Sequence, residues 1–218
     1  MTLQGASPKL WDHGLVAMRS KATTWYKRLA DIPSIGYPGD ESLRKKLPNA
    51  NVTPRVERFD LGDRPHEALV WKTRDGTSSA SPVHEVAFGS HGDESPEETR
   101  ERVLKALELP GTPSDYHFLI QSAHEQLWGQ RRERSDQYPM IEWLCQLNVR
   151  LLEIHPETLW IGDDAGSGFI RALAFDRLVS MYATEGFETE MIETATRISK
   201  LTGKMDSPGE PRNLVRRT

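Results

Sequence analysis

The sequence predicts an α+β fold dominated by helices, in which an N-terminal helix and a small antiparallel sheet pack on a C-terminal bundle of antiparallel helical hairpins. Apolar residues recur at spacings of three and four through most of the second half, whereas short β-forming runs are confined to residues 51–90. The chain has 218 residues, 37% of them hydrophobic and 28% charged, so it is long enough to bury a core. No window of 18 apolar residues occurs, and we therefore expect no transmembrane helix.

The pattern divides the chain into three parts. Residues 1–94 hold the first helix and the sheet, and residues 95–203 hold the helical hairpins. Residues 204–218 contain proline, glycine and charge without an apolar stripe, so we expect a flexible tail.

The first helix is predicted from Ser7, an N-cap followed by a proline at the first helical position, to Pro33. A second, short helix is predicted over residues 41–47, before the next proline. The apolar stripe of the first helix consists of Leu15, Met18, Ala22, Trp25 and Leu29.

Two or three antiparallel strands are predicted between these helices and the second half. The β-forming runs cover residues 55–61, 67–73 and 83–88, and the sequence Arg74-Asp75-Gly76 indicates a turn after the second run. The last run alternates His84, Val86 and Phe88 with the residues between them, which favours a strand. A sheet this small requires support from a helix.

The second half contains sequence signals for the beginning and end of several helices. Ser95-Pro96-Glu97-Glu98 is a capping box with proline at its first helical position, and Thr112-Pro113-Ser114-Asp115 repeats this chemistry. After a polar break at 131–137, a helix is predicted over 139–154, with Met140, Leu144, Leu147, Leu151 and Ile154 on one stripe. Two more helices, at about 169–185 and 187–202, are joined at Gly186, and Gly203 fits a C-terminal cap.

Leu178, Tyr182 and Gly186 follow one another at steps of four, with Phe175 before them and Glu190 and Ile192 after them. In these positions residues 172–201 resemble a single tetratricopeptide hairpin. Residues 118–156 resemble a second one. Val179 and Met191 stand where that family has small residues. The resemblance implies a helix–turn–helix scaffold with a protein-binding surface.

Charge and cysteine content limit the possible functions. The net charge of −4 argues against a dedicated nucleic-acid binder, although residues 1–50 carry 8 basic and 4 acidic side chains. The single cysteine, Cys145, excludes an intramolecular disulfide and a cysteine-rich zinc site. The N-terminus has no apolar segment and Thr2 does not accept a myristoyl group, so we expect a cytoplasmic protein.

The function predicted first is a non-enzymatic interaction or adaptor module that binds a protein partner. Its binding surface is expected on the helices between residues 113 and 200. The predicted contact residues are Trp128 and Trp143, which fall outside the main stripes of their helices, and Tyr182. We expect no metal, no cofactor and no membrane association, and the oligomeric state is left open.

The alternative is a metal-dependent hydrolase or nuclease. Its candidate residues are Asp60, Asp63, His66 and Glu67, because carboxylates and an imidazole can hold a divalent ion. Lys72 lies an odd number of residues after Glu67, so the two point to opposite faces of a strand, unlike the acid and lysine of typical nuclease sites. A third possibility is a nucleic-acid-binding accessory protein that uses the basic N-terminal helix.

Other histidines are assigned structural roles. His84 and His91 belong to a polar group with Asp93 and Glu94 that is explained as a strand end and a helix start. His117 and His124 share a helix face, but two turns separate them by about 10 Å, too far to chelate one ion.

Overall fold

A computed structural model describes residues 29–61, 64–88, 94–161, 168–169 and 172–203. At 60–61, 64–66, 160–161, 168–169 and 202–203 it describes the backbone alone. Residues 7–28 of the helix predicted from Ser7 to Pro33, Asp63 and the predicted tail at 204–218 lie outside these ranges.

Helices dominate the described part, and the predicted α+β class is confirmed. None of these helices is both long enough and apolar enough to cross a membrane. They are α1 (Glu41–Arg44), α2 (Pro82–Ala87), α3 (Pro96–Leu107), α4 (Pro113–Gln130), α5 (Tyr138–Ile154), α6 (Leu173–Glu185) and α7 (Glu188–Gly203).

The sheet is an antiparallel meander of β1 (Pro54–Leu61), β2 (Arg64–Thr73) and β3 (Gly76–Ser78), in that order. Thr73 pairs with Gly76, so the turn predicted at Arg74 forms a tight hairpin. The first two strands match the prediction, and β3 was not predicted. A second short antiparallel pair joins β4 (Trp160–Ile161) to β5 (Gly168–Phe169).

The strand predicted at 83–88 is wrong, because these residues form α2. The side chain of Ser81 accepts a hydrogen bond from the backbone N–H of His84, and Pro82 occupies the first helical position. Val83 and Ala87, four residues apart, are buried on the same helix face. The run at 83–88 therefore fits both the two-residue period of a strand and the spacing of a helix, and the cap at Ser81 favours the helix.

Cap chemistry sets the starts of the two helices that carry most of the core. Ser95 and Glu98 form the predicted capping box of α3, and Thr112 and Asp115 form that of α4. Helix α5 covers the predicted span with one additional residue at its start. Helix α6 begins at Leu173, about four residues later than predicted, and α1 ends at Arg44, three residues earlier than predicted.

Antiparallel hairpins organise the second half, as predicted. Helix α4 packs along α5, α5 packs on α6, and α6 turns back into α7. The turn between α6 and α7 is made by Gly186 at φ 77°, a left-handed C-terminal cap whose N–H donates to the carbonyl of Tyr182.

One core joins the helices to the segment before the sheet. Ile32, Ile35 and Tyr37 of that segment and Val83 of α2 are buried in the same cluster as the long helices, so the core extends across the boundary predicted at residue 94. Residues 29–32 are not helical, and Pro33–Ile35 form a 3-10 turn, so Pro33 starts an element rather than ending one. The central helices contribute Leu119, Ile120, Leu127, Leu144, Leu147, Leu151 and Leu152, all completely or almost completely buried.

Cys145 belongs to this core. The residue has no exposed surface, and burial raises the pKa of its thiol to about 12. The thiol therefore packs as a small apolar group.

Candidate interaction surface

A groove of about 410 Å³ runs between α3 and the start of α5. We call it the α3–α5 groove. It is lined by Pro96, Glu97, Arg100, Leu104, Asp136, Gln137, Pro139, Met140 and Trp143.

Helical spacing builds both walls of the groove. Pro96, Arg100 and Leu104 follow one another at steps of four on α3, so they lie on one helix face. Met140 and Trp143, three residues apart, form the opposite wall on α5. Both are partly buried against the core, and Trp143 meets Tyr37 edge to face with ring centroids 6.3 Å apart. The predicted contact residue Trp143 therefore lies in a surface groove on a firmly packed base.

The two carboxylates that line the groove are already paired. Arg134 donates to Glu97 at 2.6 Å and to both carboxylate oxygens of Asp136 at 3.1 Å. These hydrogen bonds lower the pKa of Glu97 and of Asp136, so both stay ionised. Arg100 differs, because it is exposed and has no hydrogen bond or ion pair with any residue that the structure describes. The groove thus offers one uncommitted cation beside an apolar wall.

Trp128, the second predicted contact residue, lies at the end of α4 and is partly buried. The guanidinium carbons of Arg131 and Arg177 lie over its indole, 3.9 and 4.9 Å from the ring centroid, and Tyr138 meets it edge to face at 6.5 Å. We call these four residues the Trp128 cluster. Arg177 comes from α6, so sequence spacing alone gave no sign of this contact.

Tyr182, the third predicted contact residue, is buried, with 5% of its surface exposed. Its hydroxyl donates to Glu142 at 2.7 Å and accepts from Gln146 at 2.8 Å, which ties α6 to α5. Burial, followed by the bond to Glu142, raises the pKa of Tyr182 to about 12. The geometry gives this residue a packing role and leaves little of it for a partner, unlike the neighbouring Phe187, which is 52% exposed.

The acidic cluster of the hydrolase alternative lies at the far end of the β1–β2 hairpin. Asp60 pairs with Pro65, and His66 pairs with Phe59. Glu67 pairs with Arg58, a cross-strand neighbour of opposite charge. Asp63 lies outside the described residues, so the metal-site prediction stays a prediction. Among the residues with described side chains, no group of three or more histidines, cysteines or carboxylates is arranged to hold a metal ion.

His84 has a partner that the sequence did not reveal. Its Nδ1 donates to Asp115 Oδ1 at 2.9 Å, and the other oxygen of Asp115 accepts from the hydroxyls of Ser81 at 2.8 Å and Thr112 at 2.6 Å. This network ties α2 to the start of α4. Glu94, which was grouped with His84, instead accepts from Arg102 at 2.9 Å.

A polar layer lies inside the helical body between α4 and α5. His117 Nδ1 lies 2.8 Å from Asn148 Oδ1, and both residues are completely buried. His124 is also completely buried, and neither ring nitrogen has a hydrogen-bond partner among the residues that the structure describes. Burial is the main cause that lowers the pKa of both imidazoles, to about 3 for His124, so both are neutral at pH 7.

No protein family, no curated protein and no solved structure matches this chain. The geometry of the groove and of the Trp128 cluster is therefore the basis for the functional proposals that follow.

Proposed function

We propose that this protein is a non-enzymatic interaction module that binds a peptide segment of a partner protein in the α3–α5 groove. The observation that carries the proposal is the exposed, uncommitted Arg100 beside the apolar wall of Trp143 and Met140. Tryptophan and arginine are the side chains most enriched among the residues that dominate interface energies.

The chemistry of the groove defines the peptide. A large apolar side chain would pack on Trp143, Met140 and Leu104, and a nearby carboxylate would pair with Arg100. A basic residue at that position would be repelled by the charge of Arg100, and the carboxylates of Glu97 and Asp136 are already paired with Arg134. The expected motif is therefore one acidic residue close to an aromatic or long aliphatic residue.

The scaffold supports the same class of function by analogy. Helices α4 to α7 form antiparallel hairpins, and residues 172–201 resemble a tetratricopeptide hairpin on the positions given above. Proteins built from such hairpins commonly bind peptides, although a shared scaffold alone is weak support for a function.

The test is selection from a displayed library of random peptides with three proteins: the wild type, Arg100→Glu and the matched control Arg74→Glu. Arg74 is also exposed but lies on the β2–β3 turn. We expect the wild type and R74E to enrich the same acidic–apolar motif. We expect R100E to lose it, with at least tenfold weaker binding of the selected peptide, because a charge-assisted hydrogen bond is replaced by repulsion.

Two results would contradict the proposal. One is the absence of any enriched motif with the wild type. The other is an enriched peptide that binds R100E and R74E equally well, because binding would then take place outside the groove. Melting curves of all three proteins establish that the variants are folded.

A further inference from the structure

The two arginines of the Trp128 cluster have most of their hydrogen-bonding capacity unused. A guanidinium group carries five N–H donors in its own plane, and stacking on an aromatic ring engages its face and not these donors. Arg131 donates once, from Nη1 to the carbonyl oxygen of Trp128 at 2.7 Å. Arg177 makes no hydrogen bond to any residue that the structure describes, and its Nε is buried without a partner.

The carboxylate that forms an ion pair with Arg177 lies too far away for a hydrogen bond. Within the described residues, the ion-pair contact of Arg177 is to Glu125, at 3.9 Å between Nη2 and Oε1, which is too long for a hydrogen bond. The side chain of Arg177 is only 14% exposed. Burial lowers its pKa, and the charge of Arg131 adds to this effect against the opposing charges of Glu125 and Asp176. A cation held this deeply without a bonded acceptor is costly unless an acceptor binds.

His124 is a second, independent sign of an unmet hydrogen-bonding requirement. It lies one helical turn before Trp128, it is completely buried, and both of its ring nitrogens lack partners. Arg131 and Arg177 thus hold donors without adequate acceptors over one indole, and the unpartnered His124 lies one helical turn before that indole on α4.

We propose that Arg131 and Arg177 form an oxyanion-binding site beside Trp128, which takes the phosphate or carboxylate group of a ligand. The guanidinium fork matches two oxygens of either group, and both guanidinium carbons lie within 4.9 Å of the centroid of one indole. The bound oxygens would supply the acceptors that Glu125 is too distant to provide. This site is separate from the α3–α5 groove, since none of the groove's lining residues belongs to the Trp128 cluster.

The test follows the indole N–H signal of Trp128 by NMR, assigned with Trp128→Phe. The full chain is titrated with inorganic phosphate, with acetate, and with sodium chloride at matched ionic strength. The variants are Arg131→Gln and Arg177→Gln, and the matched control is Arg132→Gln, which removes an exposed neighbouring arginine. We expect a saturable shift with phosphate or acetate, at least tenfold weaker in R131Q and R177Q and unchanged in R132Q.

The titrations also identify the source of the oxygens. Tighter binding of phosphate assigns the site to phosphorylated ligands, and tighter binding of acetate assigns it to carboxylates. Shifts no larger than those with chloride, or equal weakening in R132Q, would overturn the proposal. If R177Q does not fold, R131Q decides, because Arg131 is only partly buried. R100E is expected to leave this titration unchanged, so the two proposals fail separately.

Discussion

Glu108 and His124 show two ways in which this protein accommodates an ionisable side chain in its interior. The carboxylate of Glu108 has no exposed side-chain surface, and it accepts from the Tyr37 hydroxyl at 2.7 Å, the Asp40 backbone at 2.5 Å and Arg44 Nε at 3.0 Å. These three hydrogen bonds fasten the segment before the sheet onto the end of α3. His124 has no such partners and is held neutral instead.

The neutral state of His124 predicts acid sensitivity. The pKa of His124 is lowered from 6.5 to about 3 in the folded protein. Between these two pH values the unfolded chain therefore binds a proton that the folded chain does not bind. The stability due to this group is present above about pH 6.5 and is lost as the pH falls toward 3. Between pH 8 and pH 5 the loss is about 2 kcal/mol.

Urea unfolding of the wild type and His124→Leu at pH 8 and pH 5 checks this prediction. We expect the free energy of unfolding to fall about 2 kcal/mol less in the variant. His117, which is also buried and has a lowered pKa, keeps its contribution in both proteins and serves as an internal reference. Equal losses in the two proteins would show that His124 is protonated in the folded state.

Elements whose ends are encoded locally were predictable from the sequence. The starts of α3 and α4 rest on Ser95 and Thr112, whose hydroxyls bond to the backbone three residues later, within one helical turn. The span at 83–88 was misassigned because its residues alternate with period two and also fit a helix, and the deciding bond comes from Ser81, outside the run. The contacts that make the candidate sites, such as Tyr37 with Trp143, join distant residues and leave no local trace.

Two glycines predict opposite responses to the same substitution. Gly129 lies in α4 with open space around it, so Gly129→Ala is expected to stabilise the protein by about 0.5 kcal/mol, because alanine is the better helix former. Gly186 also has open space, but its φ of +77° strains any residue with a Cβ, so Gly186→Ala is expected to destabilise it by about 1 kcal/mol. Thermal melting measures both. A loss of stability in both variants would imply that space rather than backbone conformation limits these positions.

At the scale of the whole molecule, composition indicated a small sheet followed by a helical second half, but neither where the sheet ends nor where the core lies. Ile32, Ile35 and Tyr37, and Val83 and Ala87 of α2, belong to the N-terminal part by sequence, yet they are buried with the long helices. Leu69, Val70 and Trp71 of β2 are also buried, but they lie outside that main cluster. The sheet is therefore separate from one continuous core, which joins the helices and the segment before the sheet. The spacing of apolar residues along the sequence does not indicate which elements share a core.

Because Cys145 is buried, the reactivity of its thiol measures how often the protein opens. Because it is the one thiol in the sequence and has no exposed surface, a thiol reagent can reach it only when α5 separates from its neighbours. We expect labelling of the native protein to be slow and to accelerate with denaturant in parallel with unfolding. Rapid labelling without denaturant would reveal local openings of the central hairpin. A cysteine that replaces Arg100 or Arg131 can therefore be labelled with a probe at that position alone, because the buried Cys145 does not react.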